Sequence, residues 1–200
     1  MGDFPLLVTT NLLLTAFTPT DAAYVQLFAG ESTLIEMLDN APWPYPDGAA
    51  QRWIATHPDL YQNRQAIYLA IRLRGNGQVI GCVELHDLVP QHRAELGYWI
   101  ALPWQGQGYA SEAVRALVEY AFDALALRRL DATVFTRNIA SITLLEKLGM
   151  QREGLRPGWG SSRGNPEDVY CYGLTRARWN ARTAAAGVPP DTVASRISSP

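Results

Sequence analysis

The stretch Gln105-Gly106-Gln107-Gly108-Tyr109-Ala110-Ser111-Glu112-Ala113 decides the fold. Before it runs an apolar segment, residues 94–102, that Pro103 ends; after it Ala110, Ala113, Val114, Leu117, Val118, Ala121, Phe122 and Leu125 recur at helical spacing. The order is strand, glycine loop, helix. Two glycines remove the Cβ atoms that would hold a ligand off the backbone, and the first amides of a helix have no intrahelical partners. Those N–H groups and the positive end of the helix dipole suit a phosphate or pyrophosphate. A tight turn that merely starts a helix has the same local sequence.

Two phosphate loops are excluded. A dinucleotide fingerprint needs a third glycine where this chain has Ser111, and the acidic residue about twenty positions on, Asp131, opens the next strand and is out of reach of a ribose. No Gly-x-x-x-x-Gly-Lys-Ser/Thr occurs in the chain.

Working outward, 200 residues with 48% apolar and 18% charged side chains predict one soluble globular domain with a substantial core. A formal charge of −2 with no lysine- or arginine-rich block argues against nucleic-acid binding. Cys82 and Cys171 fall in apolar strand-like runs, as reduced buried thiols of a cytoplasmic protein would. His57, His86 and His92 show no metal spacing with one another or with the cysteines, so no metal is expected. No secretory signal and no membrane-spanning run is present in the sequence.

From the start, residues 6–17 read as a first strand. Thr18, Pro19 and Asp21 form a capping-box-like helix start, and Tyr24, Leu27 and Phe28 supply the expected buried stripe. Residues 41–46, Ala-Pro-Trp-Pro-Tyr-Pro, form a semi-rigid loop. Its aromatics, Trp43 and Tyr45, are candidates for a substrate-pocket wall or for simple loop packing. Asp47 is positioned to cap a helix whose Ala50, Trp53, Ile54 and His57 share a face. Strands over 66–73 and 79–88 flank an Asn76-Gly77 hairpin signal. The strands 94–102 and 129–136, a helix over 138–148 closed by Gly149, and a last strand pair within 152–179 follow. The composition then turns to Ala, Gly, Pro and Ser, which predicts a domain over 1–180 and a loose tail over 181–200. The fold class is α+β: a mixed, mostly antiparallel sheet with helices on both faces.

The loop fits the pattern Gln/Arg-x-x-Gly-x-Gly/Ala, and with the rest of the chain it resembles the GNAT N-acetyltransferases, in particular the RimJ/RimL-like branch. The matching pieces are residues 94–99 (Ala-Glu-Leu-Gly-Tyr-Trp), 106–113, Asn138-Ile139-Ala140-Ser141 running into 144–150, Glu153-Gly154 and 168–179, in the family's order. The resemblance implies splayed central strands at 94–102 and 129–136 and a dependence on acetyl-CoA. The cofactor's pantetheine arm would pair with main-chain groups of Trp99, Ile100, Ala101 and Leu102. Its pyrophosphate would rest on Gln105, Gly106, Gln107, Gly108, Tyr109, Ala110 and Ser111. At one point the branch pattern fails: two arginines usual near the start are Asn11 and Thr15 here, which weakens any transfer of substrate identity.

Acetyl transfer to an amine needs a deprotonated amine, a polarised carbonyl and a proton for the departing thiolate. By the match to Asn-x-x-Ser, Ser141 is the candidate for the proton and Asn138 for holding the pantetheine or a water; equally, Asn138 makes a plain helix N-cap with Ser141 at its third position. For the base, Glu95 comes first and Glu84 second, with Glu84 also a candidate for binding the substrate. A glutamate that other family members place five positions before the Asn is Thr133 here. The expected activity is direct transfer from acetyl-CoA to a primary amine, first the N-terminal amine of a protein. The alternatives are a small amine such as an antibiotic or polyamine, and an acyl-CoA-binding module without catalysis. No nucleic acid and no membrane is expected as partner; a homodimer follows by analogy alone.

Overall fold

The computed structural model describes residues 4–185. Eight strands form one sheet in the order β1-β2-β3-β4-β5-β6-β8-β7, and every neighbouring pair is antiparallel except β5 with β6. The strands are β1 Leu7–Val8, β2 Leu12–Thr15, β3 Ile67–Leu73, β4 Val79–Val89, β5 Arg93–Ile100, β6 Arg129–Phe135, β7 Gln151–Ser162 and β8 Asn165–Thr175. The helices are α1 Ala22–Ala29, α2 Ser32–Ile35, α3 Ala49–Gln62, α4 Tyr109–Asp123, α5 Ile139–Leu148 and α6 Arg176–Ala185. One core lies between the sheet and α4, α5 and α6, with Leu117, Phe122 and Tyr172 fully buried; a second lies on the opposite face under α1, α2 and α3. Helices therefore cover both faces, as the mixed α+β expectation required.

Several local expectations change. The first strand is instead a tight hairpin, because Thr9 turns the chain: its amide donates to Leu12 O at 3.0 Å and its Oγ1 accepts from Leu12 N at 3.0 Å. The Thr18–Asp21 box forms, and Asp21 also receives Arg72 at 2.6 Å. Tyr24 and Leu27, however, are exposed at 45% and 66%; α1 buries Ala22, Val25 and Ala29, whose small size lets the helix lie close to its neighbours. The N-cap of α3 is Gly48, at φ +72°, not Asp47. The expected tail boundary at 180 falls inside α6. Trp179 is buried against Phe122, and Arg178 and Arg182 donate to the carbonyls of Gly149 and Lys147, so the helix is docked through residue 185. The rest of the expected tail lies outside the described residues. No helix among those residues is long and apolar enough to cross a membrane.

His57 on α3 is 3% exposed among Phe17, Trp53 and Tyr68, and neither ring nitrogen has a hydrogen-bond partner. Burial pushes its pKa down to about 4. In the unfolded chain the ring titrates near 6.5, so protons favour unfolding between the two values. Stability is therefore full above pH 6.5 and falls as the pH drops, by about 2 kcal/mol at pH 5 from this group. Urea unfolding at pH 7.5 and pH 5 should show this loss, and His57→Phe should shrink it.

Candidate active site

Strands β5 and β6 pair at Arg93↔Arg129, Ala94↔Leu130 and Glu95↔Asp131, and no further. Beyond that point β5 stays with β4 as far as Ile100, while β6 stays with β8 as far as Phe135. The two parallel strands thus splay into a V. A cavity of about 580 Å³ fills it, lined by Glu95, Gly97, Tyr98 and Trp99 of β5, by Thr133 and Phe135 of β6, and by Asn138, Ser141 and Leu145 of α5.

On one side of the V is the glycine loop. Pro103 and Trp104 make a 3-10 turn after β5, and Gln105 Nε2 ties back to Ile100 O at 2.8 Å. Gly106 and Gly108 lie at φ +72° and +86°, in the left-handed region, with open space where a Cβ would point. Gly108 is the N-cap of α4, and the first bond back to it comes from Glu112 N. Among the described residues, none of the amides of Gly106, Gln107, Gly108, Tyr109, Ala110 and Ser111 is recorded donating to another protein group. The α4 entry is fixed by Glu112, whose carboxylate accepts from Thr9 Oγ1, Asn11 N and Asn11 Nδ2 at 2.6, 2.7 and 2.9 Å. Asn11 and Thr15, the departures from the branch pattern, thus have structural work: Thr15 Oγ1 accepts from Arg72 Nε at 2.8 Å.

The main-chain pairing of the cofactor needs correcting. Ala101 N donates to Ile80 O at 2.8 Å, so by antiparallel alternation Trp99 and Ala101 spend their groups on β4, and Tyr98 and Ile100 face the V. Ile100 O is occupied by Gln105, and Leu102 O accepts from Gln105 N. The groups free to meet a ligand are those of Tyr98 and the amide of Ile100. Asn138 behaves as a helix N-cap: its Oδ1 accepts from Ser141 N at 3.1 Å.

Ser141 lines the cavity on the same side of the sheet as the loop, and beside it is a residue that sequence reasoning missed. The Tyr98 hydroxyl is buried without a hydrogen bond of good geometry, and burial pushes its pKa to about 12 while the Ser141 side chain pulls it the other way. A buried hydroxyl with only the Ser141 side chain beside it can gain a hydrogen bond from a ligand. Its neighbour Ser141 comes from α5, which no local pattern in β5 reveals.

The other side of the V carries the carboxylates. Glu95 accepts from Thr133 Oγ1 at 2.6 Å, the residue that stands where other family members have a glutamate. Glu84 lies across from Gly97 in register, and burial raises its pKa. Tyr45, Trp53, Tyr68 and His86 complete the wall, with Met37 to Pro42 as a strap above. Trp43 is not part of it: 43% exposed, its ring sits under the Arg163 guanidinium at 4.3 Å. His86 was approached only through histidine and cysteine spacing. The fold instead brings ligand atoms of His86, Asp87 and Glu95 within 4.8 Å of one another, with His86 Nδ1 and Asp87 Oδ2 3.2 Å apart. Strand alternation from Glu84 could have placed His86 on this face.

Comparison with known proteins agrees with this geometry. Residues 11–151 match the acetyltransferase (GNAT) domain family. The chain is 36% identical over 178 residues to YoaA of Bacillus subtilis, an uncharacterized N-acetyltransferase, covering 88% of this chain and 99% of that one. It is 27% identical to the [ribosomal protein uS5]-alanine N-acetyltransferase of Escherichia coli, covering 68% of this chain and 70% of that one. The structure of Mycobacterium smegmatis RimJ in complex with CoA-disulfide superposes with a TM-score of 0.77 at 22% identity, covering 92% of this chain and 93% of that one. The chain belongs to the GNAT acetyltransferase family. It is an N-acetyltransferase that uses acetyl-CoA, with RimJ/RimL proteins among its relatives.

The residues present suit that cofactor. Unpaired amides and the α4 dipole on one side of the V fit a pyrophosphate, and the free groups of Tyr98 and Ile100 fit an amide-bearing arm. When bound, acetyl-CoA supplies an activated thioester.

Proposed function

We propose that this enzyme moves the acetyl group directly from acetyl-CoA to a primary amine, and that its acceptor is the N-terminal amine of a protein. The observation that carries the mechanism is the two-sided V: Ser141 and Tyr98 border the cavity on the face of the sheet that carries α4 and α5, and Glu95 and Glu84 border it from the opposite face. The neutral amine attacks the thioester carbonyl, forming a C–N bond as the C–S bond breaks. Its surplus proton goes to the Glu95 carboxylate, and the sulfur leaves with a proton from the Ser141 hydroxyl, which solvent replaces. No cysteine lines the cavity among the described residues, which supports a single transfer without an acyl-enzyme. The protein N-terminus rests on the likeness to the uS5-alanine N-acetyltransferase.

Mass spectrometry of the protein with acetyl-CoA, peptides of varied N-terminal residue and small amines tests the acceptor. A gain of mass on peptides of one N-terminal type supports the proposal; a gain on small amines alone overturns the protein acceptor. Ser141→Ala tests the chemistry. We expect kcat to fall about 100-fold with the Kd for acetyl-CoA within about twofold. Unchanged turnover would remove Ser141 from the proton path.

A further inference from the structure

We infer that the acceptor side of the cavity is an ammonium site, anchored by Glu84, that selects amines with no anionic group beside them. This deepens the acetyl-transfer reading above and rests on it.

Glu84 sits mid-sheet between Tyr68 on β3 and Gly97 on β5, its partners in register. Gly97 makes room for the carboxyl group: a Cβ there would stand 2.6 Å from Glu84 Oε1. The recorded hydrogen-bond partner of this carboxylate is the Cys82 thiol, a weak donor, at 3.7 Å. A carboxylate can accept about four hydrogen bonds, and burying one with no cation is costly. An ammonium ion placed above it repairs both deficits.

The rest of the cavity has the same sign. Asp39, Glu84 and Glu95 line it; among the described residues neither lysine nor arginine does, and His86 is the basic side chain on its wall. Asp39 accepts from Ser161 N at 2.8 Å and Glu95 from Thr133, so each has an N–H or O–H donor where Glu84 has the weak Cys82 thiol. The arginines near the strap do not line the cavity and have their own partners: Arg137 pairs with Glu167 and donates to Glu36 O and Met37 Sδ, and Arg163 pairs with Glu36. Tyr68 packs edge-on to Trp53 at 5.5 Å beside Glu84, and Trp99 lies two residues beyond Gly97 on the same face. Aromatic faces attract a cation and accept hydrocarbon. A carboxylate or phosphate next to the amine would instead enter a pocket with three carboxylates and no opposing lysine or arginine. The acceptor class is therefore an amine flanked by an amide or by hydrocarbon, as in a peptide, and not a free α-amino acid or an aminoalkyl phosphate.

Paired acceptors test this: alaninamide against alanine, and phenylalaninamide against phenylalanine. We expect kcat/KM for each amide to exceed that for the free acid by about 100-fold. Glu84→Gln should raise the KM of the amides about tenfold and shrink the amide-to-acid ratio, with the KM for acetyl-CoA unchanged. Calorimetric binding of the same four compounds to the wild-type protein saturated with coenzyme A gives a readout without turnover. Amides that bind well but are not acetylated would sink the transfer reading and leave the ammonium site standing. Free acids that bind or react as well as the amides, binding of none of the four, or a folded Glu84→Gln protein with an unchanged ratio would overturn the inference.

Discussion

Replacing Gly108 by aspartate should raise the Kd for acetyl-CoA by about two orders of magnitude, measured by calorimetry, with the protein still folded. Gly108 is the N-cap of α4 at φ +86°, and among the described residues no amide from Gly106 to Ser111 donates to a protein acceptor. Aspartate tolerates the left-handed region better than most residues, and nothing lies within 4 Å of the added Cβ, so the loop keeps its shape at about 1 kcal/mol. Its charge, however, would stand where the pyrophosphate is expected and oppose it at close range. Gly108→Asn separates the causes. It shares the backbone preference and lacks the charge, so its loss of affinity should be about tenfold or less. Equal losses for the two variants would mean that loop geometry, not charge, governs cofactor affinity. No loss for either would move the pyrophosphate away from this loop.

Glu95→Gln should lower kcat by about 100- to 1000-fold, with the KM values for acetyl-CoA and for the amine within a few-fold of wild type. Glu95 holds the last residue pair before the V opens, so its carboxylate projects at the apex of the cavity. Glutamine keeps the shape and can still accept the Thr133 hydroxyl, which at 2.6 Å fixes the side chain, but it cannot take a proton from the amine. An unchanged kcat would mean that the amine loses its proton to water or to Glu84. A raised amine KM with an unchanged kcat would make Glu95 a binding group instead.

Much of this site was legible in the chain. Gly-x-Gly between an apolar strand and an amphipathic helix is a local pattern, and local backbone needs fixed it: positive φ at two positions and free amides at a helix start. Glycine at 149 after Lys147 ended α5 as expected, and Asn76-Gly77 closed the β3–β4 turn. Where expectations failed, the deciding partner was far away in sequence. Trp43 left the pocket for Arg163, 120 positions on, and α6 continued past residue 180 because Phe122, Lys147 and Gly149 receive it. Asn138 accepts from Ser141 N, the local helix-cap contact that the sequence also offered.

By itself, then, the sequence determined the central elements from α3 to β8, their order and the family, because each rests on periodicity, turn chemistry or motif spacing within a few residues. Only the tertiary structure decided which side chains share the cavity. Strand pairing that stops at Glu95 opens the V, the Tyr98 hydroxyl is buried beside Ser141 of α5, and the register of β3, β4 and β5 sets Glu84 among Tyr68 and Gly97 with no lysine or arginine beside it among the described residues. Those relations depend on sheet register and on contacts across tens of residues, and no single stretch of the chain encodes them.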